Sequence, residues 1–171
     1  MNLIETQRLQ LRHLTKEDGV FILELLNEPA FIQNIGDKGV RSLADAQGYI
    51  EGQGASYEKY GFGMYRVALK ETDEPIGMCG LVKREGLEDV DIGYALLQRF
   101  WSKGYAYEAA SAVLDYAKSV LRLPRIVGIT APDNHGSARV LEKIGLRYEK
   151  MVHIPGHTEP SRLFVPPTDQ A

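Results

Sequence analysis

The chain has 171 residues, 44% of them hydrophobic and 25% charged, with a formal net charge of -3, ordinary values for one soluble globular domain. A chain of this length buries roughly two-thirds of its unfolded surface, so it needs neither a metal nor a disulfide to fold, and Cys79, the single cysteine, cannot form an intrachain disulfide, which fits a reducing compartment. The mildly acidic balance argues against nucleic acid as the main ligand, because phosphate binding leaves a basic patch or stripe, and no apolar run is long enough to span a bilayer. The opening "MNLIETQRLQLRHLT" carries no basic region followed by an apolar stretch, so a cytoplasmic protein is expected.

"RLQLRHL" (8–14) alternates as an imperfect strand. Thr15 and Asp18 then make a capping box, and Phe21, Ile22, Leu25 and Leu26 follow at helical spacing until Pro29. Ser42 and Asp45 repeat the signature before Leu43, Ala46, Tyr49 and Ile50, but Gly48, Gly52 and Gly54 each weaken this second helix by up to about 1 kcal/mol, predicting a short or mobile element. "GFGMYRVALK" and "PIGMCGLVK", separated by "ETDE", read as an antiparallel hairpin. "EDVDIGYALL" (88–97) is a further strand, with Asp89, Asp91, Gly93 and Ala95 on one face and Val90, Ile92, Tyr94 and Leu96 on the other.

From Ala106, a stripe of Ala109, Ala110, Val113, Leu114, Ala117 and Leu121 predicts a long amphipathic helix closed by Pro124. "RIVGITA" (125–131) is a strand reached by a helical crossover, so it is expected to run parallel to 88–97. Asp133 is expected to cap a short helix with Ala138, Val140, Leu141 and Ile144 inward, ending at Gly145. "LRYEKMVHI" and "SRLFV" are the last strands. The order β-α-α-β-β-β-α-β-α-β-β describes one α+β domain over residues 1–165 with about seven strands, and the tail 166–171, "PPTDQA", is expected to be unstructured.

The Gly-containing turns invite phosphate-loop readings. No G-x-x-x-x-G-K-[ST] run exists, and "GFGMYR" has two of the three glycines of a dinucleotide fingerprint and leads into a strand. "WSKGYA" (101–106) differs: it sits between a strand and a helix, where amides from Ser102 through Ala106 can converge on a pyrophosphate. Arg99 and Lys103, and again Arg139 and Lys143, bring modest positive charge.

On these residues the chain resembles the GNAT superfamily of N-acetyltransferases, which bind acetyl-coenzyme A through a Gln/Arg-x-x-Gly-x-Gly/Ala loop. Trp101-Ser102-Lys103-Gly104-Tyr105-Ala106 fits from its fourth position onward, with Trp101 in place of Gln or Arg. It resembles in particular the RimJ/RimL-type branch that acetylates ribosomal-protein N-termini. "IGMCGL", "DIGYALL", "GYAYEAA", "RIVGITAPDNHGSARVLEKIGL" and "ETQRLQLRHLTKED" are similar to blocks of that branch in the same order, over most of the chain. The resemblance implies a mostly antiparallel mixed sheet with helices on both faces and a splayed parallel pair at the cofactor site.

Acyl transfer from a thioester to an amine needs a neutral amine, a polarised carbonyl and a place for the thiolate. The resemblance implies that Tyr94, Leu96 and Leu97 line the pantetheine arm and that Ser102, Lys103, Gly104, Tyr105 and Ala106 hold the pyrophosphate, flanked by Trp101 and, further on, Lys143. It implies that Asn134 hydrogen-bonds the arm or a water near the thioester and that Ser137 faces the sulfur. Many superfamily members protonate the thiolate with a Tyr seven residues after that Asn; here the position is Leu141. A serine hydroxyl is a poor acid, so Ser137 either donates a proton or only hydrogen-bonds the sulfur. For the general base, Asp91 lies on the strand beside the expected thioester, and Glu159 in "PGHTEPS" is the candidate by resemblance. An unperturbed imidazole titrates in a suitable range, but the spacing of His13, His153 and His157 links none of them.

Other residues have plainer readings. Cys79 sits in an apolar strand as a core residue, Trp101 also reads as a packing anchor, and Glu108 complements the dipole of its helix. Segments 31–40 and 155–160 either shape the acceptor pocket or simply connect elements. The expected function is direct transfer of an acetyl group from acetyl-coenzyme A to a primary amine, first a protein N-terminal α-amine, with small amines such as antibiotics, polyamines or amino acids as competitors. A non-catalytic acyl-coenzyme-A sensor and a pure interaction protein are the alternatives from other classes. No metal, nucleic acid or membrane partner is expected, and the default assembly is a monomer or homodimer.

Overall fold

The computed structural model describes residues 1–167; residues 168–171 of the tail expected to be unstructured lie outside the described residues. Among the described residues eight strands form one sheet in the order β1-β2-β3-β4-β5-β6-β8-β7. They are β1 (Ile4–Glu5), β2 (Leu9–His13), β3 (Met64–Leu69), β4 (Pro75–Val82), β5 (Val90–Leu96), β6 (Ile126–Thr130), β7 (Arg147–Val152) and β8 (Ser161–Val165). Every neighbouring pair is antiparallel except β5 and β6, as the helical crossover between them predicts. The eighth strand, beyond the seven expected, is β1, a two-residue edge that pairs Ile4 with Leu11 and is too short to show a period.

Among the described residues five α-helices cover the two faces: α1 (Gly19–Leu26), α2 (Pro29–Asn34), α3 (Leu43–Tyr60), α4 (Tyr105–Ser119) and α5 (His135–Lys143). The apolar stripe of α4, Ala109, Ala110, Val113, Leu114 and Ala117, is buried with Leu141 of α5 and Phe164 of β8 in one core. Phe21, Ile22, Leu25 and Leu26 of α1 join Ala46 and Ile50 of α3 against Met64, Met78 and Leu97 in a second core on the other side of the sheet. Each fully buried Leu or Ile contributes about 1.5–3 kcal/mol.

Pro29 does not simply end the first helix; it opens α2 from its first position, where its missing N–H is no loss. The glycines of α3 do not shorten it. It runs 18 residues, because Gly48, Gly52 and Gly54 have nothing within 4 Å of a notional Cβ while the other face is tied down. The Ser42 hydroxyl accepts the Asp45 N–H at 3.1 Å, the Gln53 side chain accepts the Met64 N–H at 2.8 Å, and Tyr57 donates to the Met64 carbonyl. Tertiary packing here outweighs helix propensity. Asn134, not Asp133, caps α5: its Oδ1 accepts the Ser137 N–H at 3.2 Å.

The feature that makes a site is the end of the parallel pairing. The β5–β6 register runs only from Val90↔Ile126 to Ile92↔Gly128, although β5 continues to Leu96 and β6 to Thr130. Beyond Ile92 and Gly128 the strands part. Gly128 is where α5 closes on β6, since a Cβ there would stand 2.7 Å from Leu141 Cδ2.

Candidate active site

A cleft of about 950 Å³ runs through this opening, from the start of α4 to the segments around residues 30–38 and 156–160. Its middle is framed by Tyr94, Ala95 and Leu96 of β5 and by Ile129 and Thr130 of β6. Beyond Ile92 the edge of β5 facing β6 has lost its ladder partner, which leaves main-chain groups available for strand addition. The Thr130 hydroxyl is buried on the same wall with no hydrogen-bond partner among the described residues.

One end of the cleft is the turn that opens α4. Ser102 and Gly104 both adopt left-handed backbone, φ 64° and 84°, a sequence of conformations that turns main-chain amides inward. Glu108 is the first α4 residue to donate along the helix, to the Gly104 carbonyl at 3.0 Å, so the N–H groups of Tyr105, Ala106 and Tyr107 are free of intrahelical acceptors. Ser102, Gly104, Tyr105 and Ala106 line the cleft there, with Arg139 and Lys143 of α5 opposite. This end suits an anion.

The turn is pinned from beneath by Arg8. Its Nε donates to Glu108 Oε1 at 2.7 Å and its Nη1 to the Lys103 carbonyl at 3.0 Å, with the guanidinium 4.3 Å from the Tyr105 ring centre. Thr6 and the Arg8 N–H also donate to Glu108, at 2.5 and 2.9 Å. Burial alone would raise the Glu108 pKa, but these bonds together hold it below the usual glutamate value. Glu108 therefore does more than complement a dipole; it anchors the turn to the first strands. Sequence reasoning did not single out Arg8, whose partners lie about a hundred positions away.

Two hydroxyls face each other across the middle of the cleft. Tyr94 Oη donates to the Ser137 carbonyl at 2.8 Å, and Ser137 Oγ donates to Tyr94 Oη at 3.0 Å. Burial pushes the Tyr94 phenol above its ordinary pKa, with the Ser137 bond opposing it. Leu141 is 1% exposed and packed on Gly128, so it contributes core rather than cleft surface.

At the far end Asp91 is 1% exposed and takes Arg84 Nε at 3.0 Å and Nη2 at 3.2 Å on its two oxygens. Burial raises its pKa, and Arg84 works against that rise. Glu159 lines the same end and is exposed.

The cleft thus gathers Tyr94, Leu96, Trp101, Ser102, Gly104, Tyr105, Ala106, Asn134, Ser137 and Lys143 together with Asp91 and Glu159. Two residues expected beside the arm or the phosphates stand elsewhere. Leu97 is fully buried under α1 and α3, its N–H on the Ile76 carbonyl at 2.8 Å, and Lys103 is exposed outside the cleft. Trp101 donates its indole N–H to the Leu96 carbonyl at 2.9 Å and is 42% exposed, an anchor that still borders the cleft. His13 lies away from it, stacked on Tyr57 at 3.7 Å. Lys38 and Arg84 also line the end at Asp91 and Glu159, and no spacing in the sequence marks either.

Among the described residues no group of His, Cys, Asp or Glu is placed to hold a metal, and no helix is long and apolar enough to cross a membrane. The family model for an acetyltransferase (GNAT) domain matches residues 8–147. The uncharacterized N-acetyltransferase YnaD of Bacillus subtilis (strain 168) is 32% identical over 147 residues, 85% of this chain and 83% of the relative. The crystal structure of an acetyltransferase from Agrobacterium tumefaciens str. C58 superposes with a TM-score of 0.80 at 28% identity, covering 95% of this chain and 92% of that one. RimL, a ribosomal L7/L12 alpha-N-protein acetyltransferase solved in complex with coenzyme A, has the same fold, with a TM-score of 0.82 at 17% identity over 96% of this chain and 97% of that one.

Proposed function

The chain belongs to the GNAT acetyltransferase family and is an acetyl-coenzyme-A-dependent N-acetyltransferase, and from that premise we propose that its acceptor is an α-amine at a protein N-terminus, acetylated by direct attack without an acyl-enzyme. The observation that carries the site assignment is the meeting, in one cleft, of an unpaired β5 edge and the free amides of the α4 turn. Those features fit the two halves of acetyl-coenzyme A. The turn at Ser102, Gly104, Tyr105 and Ala106, with Lys143 and Arg139 opposite, would hold the phosphates. The β5 edge at Tyr94 and Leu96 would pair with the amides of the pantetheine arm, with Thr130 and Asn134 as further polar partners. The RimJ/RimL-like blocks and the shared fold of RimL support the N-terminal acceptor. So does the acceptor end, whose lip residues Gln33, Ile35, Thr158 and Glu159 are exposed and leave a path for the rest of a chain.

When bound, acetyl-coenzyme A supplies an acyl carbon activated by its thioester. The protein's part is to position an amine, take its proton and receive the thiolate. Glu159, unencumbered at the lip, is the residue we assign to accept the proton of the incoming ammonium. Asp91 has both oxygens on Arg84, and protonating it would leave that guanidinium without its partner, so we assign it the orienting of Arg84. We assign the Tyr94–Ser137 pair, which lines the middle of the cleft, to receive the departing thiolate. The Ser137 hydroxyl donates to Tyr94 in this structure and would be free to donate to a bound thiolate by rotation about one side-chain bond.

The test is release of free coenzyme A thiol from acetyl-coenzyme A across a panel of N-terminal peptides and small amines, with calorimetric binding of the cofactor alongside. Turnover preferring peptides is the expected result. Turnover on free small amines alone would overturn the N-terminal assignment, and binding without turnover on any amine would favour a sensor.

A further inference from the structure

The inference concerns the acceptor end of the cleft and rests on the acetyltransferase reading above. Three separate segments bring basic groups there: Lys38 from the stretch after α2, Arg84 from the β4–β5 loop, and His157 from the β7–β8 loop. The two loops are locked together. A Cβ at Gly86 would stand 2.6 Å from Pro155 Cδ, and Leu87 and Ile154 share a small buried cluster with Val127 and Leu163. The arrangement is therefore part of the packed fold.

Arg84 is aimed by Asp91. A carboxylate that is 1% exposed grips one edge of the guanidinium through Nε and Nη2, which leaves the N–H groups of Nη1 and one of Nη2 without an acceptor in the described residues. The Arg84 side chain remains 26% exposed, on the cleft side. Lys38 reaches solvent but makes no salt bridge among the described residues; its neighbour Asp37 is taken by Arg41. Surrounding protein, and then Arg84, lower the Lys38 pKa, and burial followed by Arg84, Lys38 and His153 lowers that of His157. Basic groups from three segments thus line one end of the cleft, and among the described residues the one salt bridge made there is that of Arg84 with the buried Asp91. Glu159 is on the same end and makes no salt bridge among the described residues, so the end carries an acid open to an amine, an unpaired lysine, and an arginine whose remaining N–H groups are open to an acid.

We propose that Arg84, oriented by Asp91, and Lys38 form an anion subsite, and that the amine acetylated in this cleft belongs to a molecule with a carboxylate close to it. A planar guanidinium fixed by a buried carboxylate suits such recognition, because its remaining N–H groups match carboxylate geometry. That chemistry is supplied either by an acidic side chain next to a peptide N-terminus or by the carboxylate of a free amino acid.

The experiment measures binding by calorimetry with coenzyme A present, and acetyl transfer separately, for two matched pairs: serine-aspartate-alanine amide against serine-asparagine-alanine amide, and free methionine against methionine amide. The acid of at least one pair is expected to bind about tenfold more tightly than its uncharged partner, and the pair that shows it identifies the source. Lys38→Gln and Arg84→Lys are each expected to bring that ratio toward one. Lys38→Gln changes an exposed residue and does not threaten folding, and Arg84→Lys keeps a cation beside Asp91. Equal binding of acid and amide in both pairs, binding of neither, or a preference untouched by both substitutions overturns the subsite. Acetyl transfer without acid preference overturns the subsite and leaves the acetyltransferase reading standing. Acid-selective binding with no transfer to any amine does the reverse.

Discussion

Gly104 and Gly61 provide a comparison that isolates the role of the α4 turn. Both are left-handed with nearly the same backbone, φ 84° and ψ 3° at Gly104, φ 84° and ψ 4° at Gly61. Alanine at either position takes on the left-handed penalty of an L-residue, about 1–2 kcal/mol, which for a chain of this size lowers Tm by roughly 2–8 °C. The surroundings then separate them. A Cβ at Gly61 meets nothing within 4 Å, whereas at Gly104 it stands 3.3 Å from Arg8 Nη2, in a guanidinium already committed to Glu108, the Lys103 carbonyl and the Tyr105 ring. Gly104→Ala must shift either Arg8 or the turn, so it is expected to weaken coenzyme A binding by about tenfold or more, the worth of one charge-assisted hydrogen bond. Gly61→Ala is expected to cost similar stability with no change in that affinity. The assays are thermal unfolding and calorimetric titration with coenzyme A for both variants. Equal stability losses with coenzyme A affinity unchanged in Gly104→Ala would refute the reading of the turn as an anion cradle.

Three further substitutions test the cleft and the turn beside it. Tyr94→Phe removes the acceptor of the Ser137 hydroxyl and the donor to the Ser137 carbonyl, so it is expected to cost about 1–2 kcal/mol in stability; if the two hydroxyls serve the departing sulfur together, its effect on kcat and that of Ser137→Ala are non-additive in a double-mutant cycle, and additive losses would count against the pair. Glu108 has a folded pKa below its usual 4.5, so its ionisation adds stability that is fully present above 4.5 and disappears as pH falls through the lowered value. Urea midpoints of the wild type and Glu108→Gln are therefore expected to lie apart at neutral pH and to converge in acid, and a constant gap would show that the carboxylate charge does not hold the turn.

Much of this fold is legible in the sequence where a pattern repeats over many residues. The α4 stripe, the β3–β4 hairpin and the helical crossover to β6 follow from period and turn chemistry alone. The two-residue β1 and the six-residue α2 are too short for a period to appear, and the length of α3 depends on Ser42, Gln53 and Tyr57 meeting partners across the fold. The site divides along the same line. "WSKGYA" announces itself because a strand, a Gly turn and a helix are contiguous, and its left-handed Ser102 and Gly104 are what such a turn requires. Arg8, Arg84 and Lys38 carry no local signal, since each acquires its meaning from a residue brought to it by the sheet order. Asp91 is the intermediate case. Its place on the β5 face was readable, but the near-complete burial and the grip on Arg84 that redirect its role were not.

Leu141 and Gly128 show how one packing choice reaches the chemistry. Where the resemblance implies that many relatives carry a tyrosine, this chain carries a leucine, and the methyls of that leucine occupy the space above Gly128 that any larger strand residue would fill. The contact draws α5 onto β6 at the point where β5 and β6 cease to pair. A phenol at position 141 would need the volume that now holds helix and strand together, and overpacking a core in this way costs about 1–3 kcal/mol. The hydroxyl nearest the parting strands must then come from another position. Tyr94, on β5, and Ser137, one turn before Leu141 on α5, meet across the opening. A phenol thus reaches the same region from the strand side, paired with a serine that has a shorter reach but one free rotation. If the pair serves the thiolate as proposed, Leu141 and the Tyr94–Ser137 pair are two parts of one arrangement, and a Leu141→Tyr variant is expected to lose stability rather than gain a second acid.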